Sequence, residues 1–145
     1  MSSPEVRAAV KDRMEISWEH TGTYDIEPDI TNKHIDRGDD DSPWAAIEFP
    51  GGTEDQISVG SPDDNIFRES GIFNVYVLVE SGSGTGVALP LLESIRKLFR
   101  GKEFAGVECH SADPATTTDK ISPATIQGQW YIMGTTIEYE YDRRG

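Results

Sequence analysis

The run Gly71-Ile72-Phe73-Asn74-Val75-Tyr76-Val77-Leu78-Val79-Glu80, the turn Ser81-Gly82-Ser83-Gly84-Thr85-Gly86 and the segment Ala88-Leu89-Pro90-Leu91-Leu92-Glu93-Ser94-Ile95-Arg96-Lys97-Leu98-Phe99 together set the architecture. In the first segment Phe73, Val75, Val77 and Val79 fall on one face of a strand and Ile72, Tyr76 and Leu78 on the other, because side chains alternate along an extended chain. Apolar residues on both faces predict a central strand. After the glycines the period changes. Ala88, Leu91, Leu92, Ile95, Leu98 and Phe99 recur at helical spacing and predict an amphipathic helix folded back on the sheet. Pro90 has no amide hydrogen and suits only the first turn, so the helix is expected to begin at 88 or 89. Gly101 can end it, and Lys97, Arg100 and Lys102 complement the negative end of its dipole.

Upstream, Ser3 can cap a helix whose first position is Pro4, with Glu5 at the positive dipole end and Val6, Val10 and Met14 at spacing four; it is expected to end between Trp18 and Gly22. Residues 23–42 turn to Asp, Pro, Asn and Gly, and predict an irregular strand followed by an exposed acidic loop. Trp44 to Phe49 reads as a strand stopped by Pro50-Gly51-Gly52, Gln56 to Val59 as a second, and Ser61-Pro62-Asp63-Asp64-Asn65 as a turn. Downstream of Val107-Glu108-Cys109-His110, a polar loop runs through Pro114, Thr116 to Thr118 and Pro123. Gln129 to Tyr141 alternates apolar and polar residues as a long half-buried strand does. The order of elements predicts one α+β domain over 1–145, with a mainly antiparallel sheet, two helices packed on one face, and extended loops.

Composition narrows the function. There are 26 Asp plus Glu against 13 Lys plus Arg, a formal charge of −13. Such a surface repels phosphate backbones over a Debye length of roughly 8 Å and gains no counterion-release energy, so gripping DNA is disfavoured. The single Cys109 excludes an intrachain disulfide framework and paired-cysteine zinc sites, and suits a reducing compartment. Neither a signal peptide nor a membrane span is expected from the apolar runs.

The chemistry-bearing motifs fail on spacing. A dinucleotide-binding G-x-G-x-x-G beginning at Gly82 needs glycine where Val87 stands, and no Gly-Lys-Ser/Thr follows. Asp36, Asp39, Asp40 and Asp41 lack the alternation of a calcium loop. Cys109 and His110 are neighbours and would point to opposite faces of a strand. His20 and His34 have no partner at ligand spacing, so no metal and no cofactor are expected. Glu138 and Glu140 share a strand face about 6.6 to 6.8 Å apart, within reach of an inverting-glycosidase separation, which keeps a small cytoplasmic hydrolase or ligand-binding domain as an alternative. The residues alone otherwise read as an assembly component without enzymatic equipment.

Two stretches carry a resemblance: Glu48-Phe49-Pro50-Gly51-Gly52-Thr53-Glu54-Asp55-Gln56, and Arg68-Glu69-Ser70-Gly71-Ile72-Phe73-Asn74-Val75-Tyr76-Val77 running through the glycine turn into Leu92-Glu93-Ser94-Ile95-Arg96-Lys97-Leu98-Phe99. They resemble the tail terminator proteins of siphophages, related to the lambda minor tail protein U, and of kindred prophages and gene transfer agents. The N-terminal helix and the segment around Glu27-Pro28 are similar in position.

The resemblance implies a virion protein, assembled in the host cytoplasm, that forms a homohexameric ring on the head-proximal end of the tail tube. Its implied partners are itself, the major tail tube protein and a head-completion or connector protein, with DNA passing through the channel unbound. Another head–tail connector is the neighbouring alternative. The segments expected to make contacts or line the channel are 36–42, 60–68 and the end of the last strand. They supply the candidate residues Asp39, Asp40, Asp41, Asp63, Asp64, Phe67, Arg68, Arg143 and Arg144. Six copies at −13 each would bring −78 to such a ring, and a negatively lined bore gives DNA no place to stick.

Overall fold

A computed structural model describes residues 2–31, 35–37, 41–82, 85–117, 126–127 and 130–145. In chain order the elements are α1 (Pro4–Ser17), β1 (Asp25–Glu27), β2 (Ile35–Asp36), β3 (Trp44–Gln56), β4 (Ile66–Glu80), α2 (Ala88–Phe99), β5 (Glu103–Phe104), β6 (Val107–Ala112), β7 (Thr116–Thr117), β8 (Ile126–Gln127) and β9 (Trp130–Arg144). The main sheet runs β1-β3-β4-β9-β6-β5, with β7 also paired to β9. It is mostly antiparallel. The parallel pairings are β1 with β3 and, in a separate two-stranded ladder, β2 with β8. The fold is thus α+β with a mixed sheet.

The predicted central strand is central, flanked by β3 and β9 along its length. Phe73, Val75, Val77 and Val79 face the helices. They form one core with Val6, Val10 and Met14 of α1 and Leu91, Leu92, Ile95 and Phe99 of α2. Phe73 sits at its middle, edge-on to Phe99 at 5.2 Å and within about 6 Å of Phe49 and Tyr139. Tyr76 and Leu78, on the other face, are buried with Trp44, Ala46, Ile30 and Ile35. Among the described residues no helix covers this second face. Ile30 and Ile35 belong to the stretch between β1 and β3, which a parallel pairing requires to cross over the sheet. Arg37 lies with its guanidinium 5.0 Å over the Trp44 ring and pairs with Asp25, so this part of the expected acidic loop is tied to the sheet.

Helix termini follow the sequence. Ser3 caps α1 by accepting from the Val6 amide, and Pro4 takes the first position. The α2 helix begins at Ala88, which places Pro90 among the amides that have no intrahelical partner, and Gly101 follows its end at φ +66°.

Three expectations are corrected. Pro50-Gly51-Gly52 does not stop a strand: β3 continues to Gln56, and the register shift between Glu48 and Gly51 is a bulge that absorbs the proline, which cannot donate to a ladder. Gln56 to Val59 is therefore no separate strand, since β3 ends at Gln56 and Ile57 to Val59 enter the connecting loop. In the polar stretch after β6, Thr116–Thr117 pairs with β9 as a short strand.

Candidate assembly surface

Beyond the bulge, residues 51–56 of β3, 67–72 of β4 and 138–143 of β9 extend the sheet as an arm, in which β9 also pairs with β6 at Tyr139, Glu140 and Tyr141. Its tip is the loop 57–65. Ile57 donates its amide to the Ile66 carbonyl at 2.9 Å, and Asn65 and Gly145 exchange backbone hydrogen bonds at 3.0 and 2.8 Å, which ties the chain's end to the loop. Val59 is fully exposed and Ile57 is 46% exposed.

The helix-facing side of the arm is anchored by a buried carboxylate. Glu69 accepts from the Tyr139 hydroxyl at 2.6 Å, from the Ser3 amide at 3.2 Å and from Arg143 Nη2 at 2.9 Å. The Ser2 hydroxyl lies 2.8 Å from the Tyr139 oxygen. Burial alone would raise the Glu69 pKa; the hydrogen bonds from Tyr139, Ser3 and Arg143 outweigh it and hold the carboxyl below its usual range. Burial and the adjoining Glu69 carboxylate push the Tyr139 hydroxyl well up, so it stays a donor. Gly71 lies beneath that hydroxyl: a Cβ there would stand 2.8 Å from it and 2.7 Å from the Gly51 carbonyl oxygen.

The opposite side of the arm is a charged ladder. Arg68 donates to both Asp142 oxygens at 2.8 and 3.0 Å and has Glu140 at 3.5 Å, while His110 lies 3.6 Å from Glu140. The Arg68 hydrogen bond pulls the Asp142 pKa down, and Asp142 in return raises that of Arg68. Glu103, Glu108, Glu140 and Asp142 surround an open hollow beside it.

Of the candidate residues, Asp64, Phe67, Arg68, Arg143 and Arg144 are brought together on this arm. Each arginine has an acidic partner in the same chain: Asp142 for Arg68, Glu69 and Glu54 for Arg143, and Asp64 for Arg144 at 3.2 Å. Phe67 packs beside Gly145. Asp63 occupies the left-handed region at φ +67° in the tip, and Asp41 is exposed before β3. Asp39, Asp40 and His34 lie outside the described residues. Cys109 is buried and His110 exposed, on opposite sides of β6, and burial pushes the Cys109 thiol up to about 12. His20 lies edge-on to Trp18 and tilted against Tyr24. Among the described residues no group of three or more His, Cys, Asp or Glu could hold a metal ion, and no helix is long and apolar enough to cross a membrane.

Residues 5–139 match the family described as phage tail terminator protein. The chain belongs to that family. It is a phage tail structural family, which gives the protein a structural role in the phage tail. A solved structure that is 16% identical, covering 97% of this chain and 96% of that one, superposes with a TM-score of 0.53 and shares the fold. No curated protein matches the chain.

In this terminator chain the family match covers both helices and nearly all of the arm. Sequence reasoning saw Ser3 only as a helix cap and did not join Glu69, Tyr139, Ser2 and Ser3 into one network. A glutamate between Arg68 and Ser70 on an apolar strand is the one trace of that network in the sequence, and nothing local says that it is buried. Lys97, Arg100 and Lys102, expected as helix-end charges, are all exposed at the end of α2 and in the turn leading to β5.

Proposed function

We propose that this protein caps the head-proximal end of a phage tail tube as a six-membered ring. The ring stops polymerisation of the tube protein and offers the surface to which head-completion proteins attach. Membership of the terminator family over residues 5–139 is the observation that carries this reading. The chain acts as one domain and does its work through contacts, with no bond made or broken. Acids exposed on loops and on the arm, Asp41, Asp63 and Asp64 among them, contribute negative potential around a passage for DNA, which then moves without sticking. The arm's outer strand, with no second neighbour for residues 51–56 among the described residues, supports edge contacts to other subunits.

The test is to mix the purified protein with unterminated tail tubes and image the ends. Capped tubes of arrested length are expected. Particles assembled without the protein are expected to show overlong or headless tails, and normal-length tails joined to filled heads would overturn the proposal.

A further inference from the structure

The outer strand of the arm is paired on one side only. Residues 51–56 of β3 lie against β4, and β1 reaches no further along β3 than Ala46. The Ile57 amide donates to the carbonyl of Ile66 opposite it, so 57, 55, 53 and 51 turn their backbone groups toward β4 while 52, 54 and 56 turn theirs toward the edge. Three N–H and three C=O groups therefore point where no described strand lies. The angle at which that row is presented depends on what fixes β3 from the helix side.

Among the described residues two contacts reach it from there, and both lead to the Glu69 carboxylate. Gly52 and Gly71 face each other at a position without mutual backbone hydrogen bonds, where antiparallel strands come closest. Tyr139 is the partner of Gly71 on β9, and its hydroxyl fills the space the two glycines leave: a Cβ on Gly52 would stand 3.1 Å from that oxygen and one on Gly71 2.8 Å. Glu69 at 2.6 Å and Ser2 at 2.8 Å hold the hydroxyl there. The second contact is Arg143, whose Nε lies 3.3 Å from Glu54 while its Nη2 donates to Glu69 at 2.9 Å. Behind them stands the first turn of α1. Ser2 and Ser3 are buried, the Ser3 amide donates to Glu69, and Arg7 Nε donates to the Ser2 carbonyl at 3.2 Å. The helix is itself fixed to the body through Val6, Val10 and Met14 in the core. At this level β9 has a further brace in its pairing with β6, whereas β3 has none among the described residues.

We infer that Glu69 and Tyr139 are positioning residues. They carry the fixed placement of α1 across the glycine pair to the outer strand, and so set the angle at which residues 52, 54 and 56 meet a neighbouring subunit. A buried polar joint suits this task because its hydrogen bonds hold only over a narrow range of distance and angle, whereas apolar packing tolerates sliding. Use of that edge in assembly rests on the ring reading above; the joint itself does not.

Distances between spin labels test the joint. Labels on Gln56→Cys and Ile16→Cys report the arm against the body, and labels on Ile16→Cys and Val87→Cys report the body alone; all three positions are exposed, and Cys109 is buried. Introducing Tyr139→Phe or Glu69→Gln should widen the 56-to-16 distance distribution about twofold or more and leave the 16-to-87 distribution as it was. Lost stability alone moves neither width in molecules that circular dichroism shows to be folded. On unterminated tail tubes, well below the melting temperature of either variant, both should cap about fivefold fewer ends than the natural protein.

A 56-to-16 width unchanged in both variants, or variants that widen yet cap as well as the natural protein, would overturn the inference. If the natural protein caps nothing, the terminator reading fails, while the widths still decide whether Glu69 and Tyr139 position the arm.

Discussion

Replacing Glu69 by Gln removes the negative charge from the group that joins α1, the arm and the last strand. The carboxylate receives three donors, from Tyr139, Ser3 and Arg143. A hydrogen bond to a charged group contributes about 1.5 to 3 kcal/mol. The amide oxygen of Gln can keep the Tyr139 and Ser3 bonds, but its NH2 group must then face the Arg143 guanidinium, donor against donor. The loss concentrates at that contact. Arg143 is partly exposed and keeps Glu54 at 3.3 Å, which limits the penalty to about 2 kcal/mol. For a chain of this length that is a fall in Tm of about 8 °C at neutral pH, at about 4 °C per kcal/mol.

The effect should also depend on pH. In the folded chain the Glu69 carboxyl titrates below its usual range. Its stabilising contribution is therefore complete above the unfolded value of 4.5 and is lost as the pH falls through the lower folded value. Calorimetric melts of the natural protein and of Glu69→Gln, taken from about pH 7 down to about pH 3, should show the gap in Tm narrowing at the acid end. Every other carboxylate titrates in both proteins, so the difference isolates this one. A gap that stays constant through the acid range, or one under about 2 °C at pH 7, would refute the reasoning.

Other outcomes follow from single contacts. Gly71→Ala should lower Tm by about 4 to 12 °C, since a Cβ there meets the Gly51 carbonyl at 2.7 Å and overpacking of this kind costs about 1 to 3 kcal/mol; an unchanged melt would show that the arm shifts freely. Phe73→Ala empties the space between Phe49, Phe99 and Tyr139 and should cost about 3 to 5 kcal/mol, read as a lower denaturation midpoint in urea with unchanged slope. Cys109, buried with its thiol pushed up to about 12, should react with a thiol reagent at pH 8 only as fast as the chain opens. Immediate stoichiometric labelling of the native protein would contradict the burial.

Where a segment's own pattern carried its answer, the sequence reading and the structure agree. The alternation at 71–80 and the helical spacing at 88–99 describe side chains that meet within one element, and Ser3, Pro4 and Gly101 act on the turn they sit in. The reading went astray at Pro50-Gly51-Gly52, where a local stop signal was overridden by β4, whose pairing carries β3 through a bulge to Gln56. It did not say what covers the second face of the sheet. The predicted apolar positions Tyr76 and Leu78 are covered by an irregular crossover with only Ile30 and Ile35 as apolar anchors there, too sparse to show a period.

By itself the sequence determined the α+β order, the central strand, both helices with their ends, the lack of catalytic spacing and the family resemblance, because all of these are written in neighbouring residues. The tertiary structure alone decided which charges meet. Glu69 draws on residues 66, 70 and 74 positions away, and Arg68 finds Asp142 across the same gap. The same folding pairs Glu54 with Arg143 and Asp64 with Arg144, and leaves Lys97, Arg100 and Lys102 exposed. A net charge of −13 gives only a sum; strand order and register decide which of its members are neutralised inside the chain.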